Sequence, residues 1–196
     1  MADAAAGREP VGTVVRLQVQ RSPLKPGPPL GRRYLTEPLA QVTALRVEPR
    51  GVRGLTAGGE LPDVHHADHP QSRNTRLVNG LSVMSLGDYA YLRSRYGPHL
   101  ADGTAGESLL LDTPGRLQLT GSFVLDTVDG GLLHLTGAMV ASPCVEFTRF
   151  VLGRDDGEVD DEIRVALAAL DGGARGHYLT ASGEGRVEVG ARLWPA

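Results

Sequence analysis

From Gly12 to Trp194 the chain repeatedly begins short runs of alternating apolar and polar residues and breaks them at glycine or proline. The run Gly12 to Gln20 sets Val15, Leu17 and Val19 on one face and Arg16, Gln18 and Gln20 on the other, the two-residue period of a half-buried strand. Gln41 to Glu48 alternates again, with the following Pro-Arg-Gly-Val-Arg-Gly read as a turn. Arg76 to Met84 reads as a strand bulged at Gly80. Further strands are expected in Glu107 to Ser142, with a hairpin turn at Gly130-Gly131, and in two closing segments, Ala174 to Ser182 and Gly185 to Trp194. The segment from Ser22 to Pro38 is too broken by proline for a central strand or a helix, and reads as an extended loop with an edge strand near Tyr34.

Helices interrupt this pattern rather than alternate with it. Ser85 and Asp88 are spaced as a capping box ahead of Leu86, Tyr89, Ala90, Leu92 and Tyr96, and Gly97-Pro98 ends that helix. Asp160 caps a second helix, whose face carries Ile163, Ala166, Leu167 and Leu170. Many short strands with two or three inserted helices, and no alternating βαβ rhythm, predict a mainly β fold closed or partly closed into a barrel. Residues 1–10 are small and polar and read as a flexible tail, leaving 11–196 as one domain.

Composition narrows the function classes. A formal charge of −3 and 5% aromatic residues give neither a general attraction to nucleic acid nor a base-stacking platform. No stretch approaches the ~18 uninterrupted apolar residues of a membrane span, and the start of the chain lacks the basic and apolar regions of a secretory signal, so a cytoplasmic protein is expected. A single cysteine excludes an intramolecular disulfide and a multi-cysteine zinc site.

That cysteine, Cys144, follows Ser142-Pro143 and precedes Phe147, Phe150 and Val151. Capping rules place Ser142 at the N-cap, Pro143 at the first helical position and Cys144 at the second, where the positive end of a helix lowers a thiol pKa. The same spacing makes Cys144, Phe147 and Val151 a packing stripe, so a reactive thiol and a buried one both remain open. Asp63, His65, His66, Asp68 and His69 crowd one short loop with metal-ligand chemistry; an exposed segment over a pocket mouth is the simpler expectation.

Several blocks together resemble a known family. Pro49 to Gly54 with Thr75 to Leu86, Gly106-Glu107-Ser108-Leu109, Pro143-Cys144-Val145, and the closing block from Ala174 to Trp194 are similar, in this order, to MOSC domains, the C-terminal domain of molybdenum-cofactor sulfurases, which also occurs as stand-alone bacterial proteins. Leu55 stands where the family usually has aspartate, Ser108 where it has asparagine, and His177-Tyr178 in place of Val-Tyr. The resemblance implies a barrel of the pyruvate-kinase-like type and binding of the molybdenum cofactor, molybdopterin. It makes Cys144 the molybdenum ligand and catalytic residue, with Gly106, Glu107, Ser108 and Tyr178 shaping the pterin pocket. Arg149 and Arg175, and after them Arg73 and Arg76, are the candidates for its phosphate. The implied activity is an oxidoreductase acting on N-hydroxylated small molecules with a separate electron-donor protein. The alternatives are a persulfide or cofactor carrier served by a cysteine desulfurase, and an inert barrel used for interaction.

Overall fold

The computed structural model describes residues 9–28, 31–155 and 157–196. The expected tail therefore lies outside the described residues as far as residue 8. In chain order the elements are β1 (Gly12–Gln20), β2 (Leu39–Val42), β3 (Ala44–Glu48), β4 (Gly51–Thr56), β5 (Gly59–Pro62), β6 (Leu81–Ser85), α1 (Leu86–Tyr96), β7 (Leu109–Leu111), β8 (Phe123–Asp126), β9 (Leu132–Val140), α2 (Val145–Val151), α3 (Asp161–Leu170), β10 (His177–Ala181), β11 (Gly185–Glu188) and β12 (Arg192–Pro195).

Seven strands close into a barrel in the order β12-β8-β9-β10-β6-β7-β1, and Gly12 opposite Leu193 joins its ends. β2 continues outward from β1, and β11-β3-β4-β5 form a second, antiparallel sheet. Closure removes the exposed edges that so many short strands would otherwise present. Strand β1 can serve three neighbours because its first residues pair with β12, its middle with β7 and its last four with β2. No helix among the described residues is long and apolar enough to cross a membrane.

Two apolar layers meet at the barrel wall. Leu17, Val19, Leu45, Val83, Leu109, Leu125, Leu135 and Leu179 fill the inner core, while Met84, Tyr89, Leu92, Leu110, Phe147 and Leu170 form an outer cluster under the helices. β7 shows why Leu109, Leu110 and Leu111 run without alternation: both faces of that strand are covered, so each leucine is buried. Burying one such side chain contributes about 1.5–3 kcal/mol.

The structure revises several local expectations. In β1 it is Val14 that is buried and Val15 that is exposed, because the pairing with β7 shifts register between Val14 and Arg16. That shift flips the alternation for one step before Leu17 and Val19 resume it. Gln18 and Gln20 do not face water; their amides donate to the carbonyls of Gly103 and Gly106 at 2.7 Å each. The run Pro49 to Gly54 is mostly strand, since only Pro49 and Arg50 turn between β3 and β4. Residues 76–80 are not in a strand, and Gly80 marks a close crossing, where a Cβ would meet Gly51 Cα at 2.8 Å. Leu117 to Ser122 is irregular, and the closing Gly185 to Trp194 is two strands in different sheets. Tyr34 sits in no strand; its hydroxyl donates to Thr104 O at 3.0 Å and its ring packs on α2.

Both read helix starts are present. Ser85 Oγ accepts from Asp88 N while Asp88 accepts from Ser85 N, a complete capping box, and Asp160 accepts from Ile163 N. In α3, Ile163, Ala166 and Leu170 are buried and Leu167 is half-buried.

Candidate functional site

The segment after β9 stays extended longer than the capping rules predict. Ala141 N donates to Gly176 O and Ser142 O accepts from Arg175, so this stretch is held along β10 rather than released into a helix. The helix therefore begins two residues late. Cys144 is the N-cap, with φ −113° and ψ 162°, and Ser142 and Pro143 lie ahead of it. Cys144 O accepts from both the amide and the hydroxyl of Thr148, at 2.9 Å each. Its side chain makes no capping bond and is left to the space beside it.

That space is a cavity of about 380 Å³, within the range of ligand pockets. Cys144 lines it together with Lys25, Arg32, Arg73, Arg175 and His65. Four permanent cations thus face one opening. Glu146, two residues beyond Cys144, stands 3.7 Å from Lys25 Nζ. Burial pushes the Glu146 carboxyl up, but its own amide, the thiol, Lys25 and Arg32 together hold it below the usual range. Arg175 is braced from below: its guanidinium lies 5.0 Å over the Phe147 ring and donates to Ser142 O at 3.2 Å. Burial lowers its pKa, but neighbouring Tyr34, Tyr178 and Cys144 outweigh this and keep it charged. Tyr34, wedged 5.2 Å from Phe147 and 5.1 Å from Phe150, has its own pKa raised by burial.

The expected residues separate. Arg149 turns its guanidinium to Gly157 O and does not line the cavity, because α2 points it toward the loop that leads to α3. Arg76 is exposed and does not line it either. Arg73 does. Gly106, Glu107 and Tyr178 line a much smaller annex of about 10 Å³, shared with Gln20, Ser82 and Arg175. Gly106 has φ 83°, and a Cβ there would meet Gln20 Nε2 at 2.7 Å, so glycine is what lets the amide reach its carbonyl. Ser108 is buried; its hydroxyl pairs with Ser82 Oγ at 3.2 Å and it does not border the annex. Leu55, in β4 opposite Ala44 and Glu60, does not line the cavity.

The histidine-rich loop is not an exposed flap. Asp63 and His66 are buried; Asp63 accepts from Gln20 N at 2.7 Å and meets His65 Nδ1 at 2.9 Å, which orients that ring at the cavity wall. His66 Nε2 faces Glu48 at 2.6 Å and His69 Nε2 faces Arg21 O, so the three rings diverge. No group of three or more His, Cys, Asp or Glu that would hold a metal ion occurs among the described residues.

Sequence reasoning missed Lys25, Arg32 and Gln20. The available signal for the first two lay in the proline-broken stretch from Ser22 to Arg33, where Pro and Gly space the basic residues along a stiff strap.

Burial pushes the Glu107 carboxyl up to about 7; its own amide, Tyr89 and Arg16 lower it less, and Asp102 adds to the rise. Tyr89 OH donates to Glu107 Oε2 at 2.8 Å while accepting from Ala105 N at 2.9 Å. Glu107 Oε1 is buried without a hydrogen-bond partner, as is Arg175 Nε.

No protein-family model and no curated protein matches the chain. Solved structures that resemble it include the YUAD protein from Bacillus subtilis, at 12% identity with a TM-score of 0.53 over 93% of this chain and 94% of that one, and a hypothetical protein, at 15% identity with a TM-score of 0.58 over 97% of this chain and 70% of that one. At such identities what is shared is the fold, so the chain belongs with these structures by its barrel architecture, while its site has to be read from its own residues.

Proposed function

We propose that the protein binds a phosphate-bearing pterin molybdenum cofactor in the 380 Å³ cavity and works as an oxidoreductase on N-hydroxylated small molecules. The observation that carries this reading is the convergence of one thiol and four cations on a single opening in a chain whose net charge is negative. A soft sulfur suits molybdenum, and guanidinium groups suit a phosphate. The residues present fit the group. Cys144 would ligate the metal, and Arg175, Arg73, Arg32 and Lys25 would hold the phosphate, with Lys25 and Arg32 replacing the expected Arg149. When bound, the cofactor supplies a two-electron redox centre. Glu146, two residues beyond Cys144, is the carboxylate that would take the thiol proton as the sulfur becomes a ligand. Tyr34 and Phe147 keep water from one side of Arg175 and so strengthen its hold on an anion. Electrons come from a separate donor protein.

The test is elemental and pterin analysis of protein made in a molybdenum-replete host. Near-stoichiometric molybdenum and pterin are expected, with loss of the metal in Cys144→Ser. Wild-type protein carrying neither overturns the reading. A second reading, a persulfide carrier, is favoured by a lone thiol that lines a cavity with a cationic wall; sulfane sulfur on Cys144 without molybdenum would identify it.

A further inference from the structure

Glu107 and Arg175 both line the annex, and each keeps one buried polar atom without a partner, Glu107 Oε1 and Arg175 Nε. Their chemistry says what is missing between them. Glu107 is only 3% exposed, and its Oε2 already accepts from Tyr89. A proton on this carboxyl therefore belongs on Oε1, which makes that atom a donor. Arg175 Nε is always a donor. Two unpaired donors on residues that line one space call for an acceptor, because a buried donor left without one is costly. The annex has room for one atom of that kind: about 10 Å³ is close to the smallest volume that holds a water. Gln20, Ser82 and Tyr178 complete its wall with polar side chains that can take up hydrogens of a bound hydroxyl or water.

The geometry points to a binding site for a single acceptor oxygen in this annex, clamped between the carboxylic acid of Glu107 and the guanidinium of Arg175. The oxygen is either that of a water or one belonging to an anion seated in the main cavity. Because Gln20 and Arg175 line both spaces, an oxygen held there links the Glu107 proton to the wall beside Cys144. The charged and titratable groups around Glu107 are Tyr89 on α1, Arg16 on β1, Asp102 on the preceding loop, and Arg175 with Tyr178 across the annex. The neutral acid is the form that donates; its carboxyl loses the proton at about pH 7. The inference stands apart from the cofactor reading, since it needs no metal or pterin.

High-resolution crystal structures and carbon-13 NMR titration of the cofactor-free protein test it. Wild type and Glu107→Gln, whose amide can still donate to the annex while accepting from Tyr89, should both show one ordered oxygen there; Glu107→Leu should lose it. The Glu107 carboxyl resonance should titrate near neutrality in the wild type. Crystals soaked in inorganic phosphate separate the sources: a phosphate oxygen in the annex assigns the site to the anion, an unchanged isolated oxygen assigns it to water. A dry annex in the wild type, an oxygen unmoved in Glu107→Leu, or Glu107 titrating as an ordinary carboxylate overturns the proposal. Molybdenum content plays no part in any of these readouts, so its absence would leave the site standing.

Discussion

Asp88 and Glu107 are both buried carboxyls in the layer around α1, and burial raises the pKa of each, yet their surroundings differ. Asp88 spends both oxygens: Oδ2 accepts from the amide and hydroxyl of Ser85 at 2.9 Å each, and Oδ1 accepts from Leu117 N at 3.1 Å with Arg116 Nε 4.0 Å away. Glu107 spends one oxygen on Tyr89 and keeps the other. Burial does not distinguish a structural carboxyl from one available for chemistry; saturation does. A group whose lone pairs are all occupied holds the fold, whereas one with a free, desolvated oxygen facing a cavity is held ready for something else.

The largest effect expected from breaking this contrast is at Asp88. Asp88→Ala leaves the Ser85 and Leu117 amides buried without acceptors and removes the reciprocal half of the capping box of α1, so urea unfolding should show a loss of about 3 kcal/mol. A loss below about 1 kcal/mol would mean that water replaces those bonds and that Asp88 is not the structural member of the pair.

The effect at Glu107 has the opposite sign. With a carboxyl raised from 4.5 to about 7, the folded protein holds a proton that the unfolded chain has released, so stability falls as pH rises across that window and stays lower above it. Glu107→Gln has nothing to titrate. Its stability should be flat in this respect, and at pH 8 it should exceed the wild type by roughly 1–3 kcal/mol. Parallel unfolding curves for the two proteins from pH 4.5 to pH 8 would show that the carboxyl is not destabilised by burial.

The smallest effect concerns the cavity rim. Lys25 and Arg73 reach solvent, so Lys25→Ala and Arg73→Ala should each weaken binding of inorganic phosphate only about two- to fivefold and change stability by less than about 0.5 kcal/mol. Calorimetric titration with phosphate checks this. Unaltered affinity in both variants would confine anion recognition to Arg175 and Arg32 and sharpen the contrast between the exposed rim and the braced interior.

Much of the frame was legible along the chain. The capping box at Ser85 and Asp88, the cap at Asp160, the hairpin at Gly130-Gly131 and the bounds of β1 all rest on relations between residues one to four positions apart. The errors have a common origin. Val15 was assigned inward because alternation carries no sign of a register shift, which arises only when β7 pairs with β1. Ser142 was assigned as a cap because its local sequence suits one, but Ala141 and Ser142 are engaged by Gly176 and Arg175, more than thirty residues on. Arg149, four residues beyond the matched Pro143-Cys144-Val145, faces elsewhere, since one helical turn decides which way a side chain points.

What the sequence by itself determined is a barrel of short strands with capped helices and one cysteine at the start of a helix, because periodicity, caps and turns are local balances of backbone hydrogen bonding and side-chain burial. Only the tertiary structure decided that Lys25, Arg32, Arg73 and Arg175 meet Cys144, and that Glu107 keeps an unclaimed oxygen. Those outcomes depend on contacts such as Gln20 with Gly106, 86 positions apart, whose geometry is set by how the barrel closes and which loops cover its wall.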